Sequence, residues 1–129
     1  MADISQVLTL SWARNGESIA QTVTIEADGE GNRNVTVNAA TTDKRVDIAI
    51  DVSELKLLYI HSDQDITIET NSGSAADDTL TIKANKPFVW YADCGLTNPL
   101  GTDVTALFIT NAGATAANVK IRTLEDTTP

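Results

Sequence analysis

Branched apolar residues stand at every second position in Val46-Asp-Ile-Ala-Ile-Asp-Val52 and again in Asp65-Ile-Thr-Ile-Glu-Thr70. Successive side chains of a β-strand point to opposite faces, so a period of two places Val46, Ile48, Ile50 and Val52 on a core face and Asp47 and Asp51 in water. Similar runs recur to the end of the chain. They predict strands over residues 6–12, 17–26, 34–38, 45–52, 55–61, 65–70, 79–84, 88–92, 104–110 and 118–123. Turn-forming residues lie between them. Arg14-Asn15-Gly16 and the segment from Asp28 to Asn32 tolerate positive φ, and Asn71-Ser72-Gly73-Ser74 and Asn111-Ala112-Gly113 read as loops between paired strands. No run has the length, the 3.6-residue period and the caps of a substantial helix.

Eight to ten short strands at this spacing predict an all-β fold, an antiparallel two-sheet β-sandwich of jelly-roll-like form, with an immunoglobulin-like sandwich as the alternative. A chain of 129 residues suits one domain spanning 1–129, with short flexible segments at 1–5 and 124–129. One strand departs from simple alternation. Leu55-Lys-Leu-Leu-Tyr-Ile60 carries apolar residues on both faces, Leu58 and Ile60 on one and Leu55, Leu57 and Tyr59 on the other. Such a strand is covered on both sides or takes part in an interface, so Leu55, Leu57 and Tyr59 are the candidate self-association residues.

Two further features concern the core. Trp12 continues the Leu8, Leu10 face of its strand and Trp90 shares a face with Phe88, which places both indoles in the interior. Asp51-Val-Ser-Glu-Leu55 is echoed by Asp103-Val-Thr-Ala-Leu107. Repeated turn-to-strand chemistry explains that echo as well as a duplication does.

Charge removes one class of partner. Nine Lys and Arg against eighteen Asp and Glu leave a formal net charge of -9, and nucleic-acid binding draws on clustered cations, so DNA and RNA are not expected ligands. No apolar run approaches the ~20 residues of a membrane span, the first residues lack a secretory signal, and the lone Cys94 fits a reducing cytoplasm. Catalytic chemistry is sparse. His61 is the only imidazole, Ser62 and Asp63 beside it are neighbours in sequence without convergence, and no Gly-x-Ser-x-Gly is present. Carboxylates at Asp63 with Asp65, Asp77 with Asp78, and Asp28 with Glu30 lack the ligand order of a calcium loop. No catalytic residue, no cofactor and no metal is therefore expected.

From Val46 onward the succession Val46-Asp-Ile-Ala-Ile-Asp-Val-Ser-Glu-Leu-Lys-Leu-Leu-Tyr-Ile60, Ser62-Asp-Gln-Asp-Ile66, Glu69-Thr-Asn-Ser72, Asp77-Asp-Thr-Leu-Thr-Ile-Lys83, Pro87-Phe-Val-Trp90, Asn98-Pro-Leu100 and Asp103-Val-Thr-Ala-Leu-Phe-Ile-Thr-Asn111 resembles small β-rich virion proteins of tailed bacteriophages, capsid decoration or cement proteins above all. The resemblance covers about two-thirds of the chain and includes no catalytic or ligand motif. It implies a protein made in the host bacterial cytoplasm that binds the capsid exterior and clamps major capsid protein subunits, often as a homotrimer. Residues at the chain ends suit capsid contact, which makes Ala2, Asp3 and Ile4 the candidates there. A carbohydrate- or receptor-binding β-sandwich of a phage tail or neck is the alternative, with Trp90 and Tyr91 as its ligand rim.

Overall fold

A computed structural model describes residues 4–127. Ten strands follow in order: β1 (Ile4–Arg14), β2 (Glu17–Ala27), β3 (Gly29–Val37), β4 (Thr41–Ile50), β5 (Leu55–Ser62), β6 (Ile66–Thr70), β7 (Thr79–Ile82), β8 (Phe88–Tyr91), β9 (Val104–Asn111) and β10 (Ala117–Glu125). Each of the ten predicted runs has its strand. Two four-stranded antiparallel sheets, β3-β10-β5-β8 and β4-β9-β6-β7, pack face to face, and β1 and β2 form a separate two-stranded ribbon. The pairing is nested. β6 pairs with β7, β5 with β8, β4 with β9 and β3 with β10, so the eight sandwich strands form one long hairpin wound across two sheets.

Alternation builds the core as the period of two requires. Val46, Ile48 and Ile50 of β4, Ile66 and Ile68 of β6, Leu80 and Ile82 of β7 and Ile109 of β9 face Leu58 and Ile60 of β5, Trp90 of β8 and Val119 and Ile121 of β10. Burial of this aliphatic layer, at roughly 1.5–3 kcal/mol per large side chain, is the main favourable term for the fold. The interior also holds Asn111, fully buried at the end of β9. Its Nδ2 donates to the carbonyls of Val37 (3.1 Å) and Thr115 (2.8 Å), and its Oδ1 accepts from the Gly113 N–H (3.1 Å). One amide thus ties the loop after β3 to the loop before β10, and its polar atoms are satisfied where water cannot reach them.

Three expectations need correction. The glycines at 29 and 31 belong to β3, not to a turn. They stand opposite Glu125 and Thr123 of β10, and a Cβ on Gly31 would come within 2.6 Å of Thr123 Oγ1, so close cross-strand approach is what requires glycine there. The change of direction falls on Asp28 alone, whose carboxylate accepts from the Thr127 N–H and Oγ1, both at 2.7 Å. The chain ends are not loose over the described residues. Ile4 and Ser5 pair with Ala27 and Glu26, Leu124 is fully buried, and the Asp126 N–H donates to Glu54 O at 2.9 Å. Trp12 is not in the core, because β1 runs on past the sheet that its first half covers.

Candidate interaction surface

β1 and β2 pair residue for residue, from Ile4 opposite Ala27 to Arg14 opposite Glu17, around a two-residue Asn15-Gly16 turn in which Gly16 takes a φ of 80°. Glycine adopts that backbone without a Cβ clash. The register puts Ile4, Leu8, Leu10 and Trp12 on the same face as Ile19, Val23, Ile25 and Ala27, an apolar stripe interrupted by Gln6 and Gln21 and closed at the tip by Arg14 opposite Glu17. Its opposite face carries Ser5, Thr9, Ser11, Ser18, Thr22, Thr24 and Glu26, with Val7 among them.

Only half of this stripe is used inside the chain. Leu8 and Ala27, with the half-buried Ile4, Val23 and Ile25, close over the outer face of β3-β10-β5-β8, where Leu57, Tyr59, Val89, Tyr91 and Leu124 form a second hydrophobic cluster. A Gln6 amide hydrogen bond to the Glu30 carboxylate (3.1 Å) pins the ribbon base beside β3. Beyond that point the ribbon has no support. Every residue from 9 to 22 is exposed, and Leu10, Trp12 and Ile19 show 43%, 48% and 61% of their surface to water.

Alongside the ribbon lies an open groove of about 620 Å³, walled by Val7 and Leu10 on one side and by Leu57, Tyr59, Pro87 and Val89 on the other. Its charged wall residue is Arg122. That guanidinium donates to the carbonyls of Arg33 (3.2 Å) and Ile121 (3.0 Å) and to Asn34 Oδ1 (2.9 Å), so it is tied to β3 and to its own strand. The outer face of the other sheet is different in kind. Thr67, Glu69, Thr79, Thr81 and Thr105 line it, and Arg45 lies 5.7 Å from the centroid of the Phe108 ring while pairing with Asp47 at 2.8 Å.

The candidate residues read from sequence separate in the structure. Leu55 lies in the main core and Leu57 under the ribbon, both nearly inaccessible; Leu57 and the half-buried Tyr59 line the groove. Leu55 and Leu57 were expected on one face. A register shift opposite Leu124 and Glu125 places an extra residue in β5 and reverses the alternation between them. Their double-sided burial is achieved by the chain's own hairpin, so they are not free as a contact face. Ala2 and Asp3 fall outside the described residues, and Ile4 packs in the second cluster. Trp90 is 8% exposed and its indole N–H donates to Leu96 O at 2.9 Å, while Tyr91 is half-buried beneath β2, so the pair does not form a rim.

The candidate chemistry is likewise dispersed. His61 sits on the outer face of β5 opposite Lys120, and Cys94 packs against the core at the turn after β8. Among the described residues no group of three or more His, Cys, Asp or Glu side chains is placed to hold a metal ion. Asp63 serves structure: the Asn118 backbone N–H (2.8 Å) and side-chain amide (3.1 Å) bond its carboxylate and lower its pKa. Glu125 moves the other way, raised first by desolvation and then by the negative charges of Glu54 and Asp51. Among the described residues no helix is long and apolar enough to cross a membrane.

What sequence reasoning missed is the free arm. Its signal was present in the two eleven-residue strands around Asn15-Gly16, longer than any strand of the sandwich, with apolar positions in phase to the tip. Comparison with family models, curated proteins and solved structures returns no match for the chain.

Proposed function

We propose that the chain is a non-catalytic structural protein of a tailed-phage virion. In this reading it is made in the host bacterial cytoplasm, binds the outside of the capsid as a homo-oligomer, a trimer by the resemblance, and cements the shell by bridging major capsid protein subunits. The observation that carries the reading is the ribbon: a rigid sandwich holds out an apolar β-arm that its own chain leaves unpacked. An isolated two-stranded ribbon is marginal in water, so such an arm suits a protein whose working state is an assembly. The nested strand pairing supports a jelly-roll topology, an architecture common in capsid proteins. The acidic charge suits an outer layer kept away from packaged DNA.

Bridging stabilises a shell by linkage, because contacts that span two subunits are lost only when the subunits separate. The test is co-sedimentation of the purified chain with expanded heads, lacking it, of the phage that encodes it. Binding that saturates at a fixed number per shell and raises the temperature of shell disruption is expected. Heads that sediment without the chain at micromolar concentration would refute the proposal.

A further inference from the structure

We infer that the free end of the ribbon is an exchange arm, and that its Leu10, Trp12 and Ile19 face seats in the groove between β1 and Tyr59, Pro87 and Val89 of a second copy of this chain. The inference deepens the self-association part of the reading above and does not require a capsid.

Three observations identify a second copy as the occupant. The first is area. A compact monomer of 13.7 kDa exposes roughly 6600 Å², whereas this chain exposes 7413 Å². The excess is of the order of what one partner contributes to a standard interface, about 800 Å², and every residue from 9 to 22 of the arm is exposed. The second is charge. The chain as a whole is strongly acidic, so two copies repel wherever their average surfaces meet. Residues 9–22 carry only Arg14 and Glu17, which cancel, and the groove walls carry Arg122 and no carboxylate. These are the two surfaces that can meet without bringing carboxylates together.

The third is shape. The molecule owns both an apolar projection and an apolar groove, and residues 9–22 of the arm that starts at the groove's own wall are exposed throughout, so the arm does not fill the groove of its own chain. An intramolecular fit is therefore closed to it, while another copy presents the same groove free. Two copies exchange arms reciprocally, or a ring of copies passes each arm to the next. Seating the arm also covers the open edges of a ribbon that has no third strand.

The test needs only the purified full chain, by light scattering coupled to gel filtration and by sedimentation equilibrium. The wild type is expected to be a dimer or larger at about 10 μM. Trp12→Ser with Ile19→Thr in the arm, and Pro87→Asp in the groove, each at exposed positions that leave the monomer fold intact by circular dichroism, are expected to raise the dissociation constant by about 30-fold or more. Mixing the two variants should restore a one-to-one complex, because one supplies an intact arm and the other an intact groove. A wild-type monomer at 100-fold higher concentration overturns the inference. So does a Pro87→Asp protein that stays fully assembled, since that would place the arm somewhere other than the groove. Either failure leaves capsid binding to be judged by co-sedimentation.

Discussion

Leu57→Ala probes the seat on which the arm depends. Leu57 is 2% exposed, projects from the outer face of β5, and is enclosed by Leu8, Ala27 and Leu124 with the half-buried Val23 and Tyr91 around them. Truncation removes three carbons, about 2.4 kcal/mol of transfer free energy at ~0.8 kcal/mol each. A rigid surrounding would add a cavity term and bring the loss near 5 kcal/mol. Here the site adjoins the open groove on one side, so the ribbon base can settle and solvent can enter. The expected cost is therefore about 2–3 kcal/mol, at the lower end of buried leucine truncations. The assay is urea unfolding at a single protein concentration, read by the buried Trp90 in a Trp12→Phe background. A parallel digest should show faster cleavage within residues 9–22, because the loosened base no longer orients the arm. A loss below about 1 kcal/mol would refute the view that the ribbon base and β5 form a packed second core.

Other outcomes follow from particular contacts. Asn111→Ala should cost about 2–4 kcal/mol, since it leaves the Val37 and Thr115 carbonyls and the Gly113 N–H without their partner; a thermal midpoint within a degree of wild type would contradict this. Gly31→Ala should cost about 1–3 kcal/mol, because the new methyl meets Thr123 Oγ1 at 2.6 Å on a closely paired strand; an unchanged urea midpoint would show that β10 yields at no cost. Glu125→Gln should stabilise the fold at neutral pH. The folded-state pKa is raised above the ordinary 4.5, so the folded protein carries a penalty that is complete above the raised pKa, shrinks as pH falls through it, and is absent below the unfolded value. The gain should accordingly vanish below about pH 4.5 in paired melts, and a gain that persists in acid would rule out this origin. Asp63→Asn gives the opposite profile: the lowered pKa contributes stability above the ordinary 3.8 that is lost as pH falls through the folded-state value, so a mutant equal to wild type at pH 7 would contradict it.

The alternation along the chain by itself determined the class of the fold and the existence of all ten strands, because a period of two is a local property that any half-buried strand must display. It also marked β5 as apolar on both faces, from Leu55, Leu57 and Tyr59 on one side and Leu58 and Ile60 on the other, which meant cover on both sides or an interface. It did not reveal what covers it. That answer joins residues about thirty to fifty positions apart in the chain, and local periodicity contains no information about which apolar faces meet. The glycines at 29 and 31 misled for a related reason: a glycine needed for a turn and one needed for a close cross-strand approach are the same letter, and only Thr123 across the ladder tells them apart. Trp12 shows the limit most plainly. Its phase with Leu8 and Leu10 is correct, and its apolar character is what burial favours. Whether that face finds a floor depends on where the sheet beneath it stops. The tertiary structure ends the sheet at the short strand β8 and leaves the outer half of the ribbon exposed.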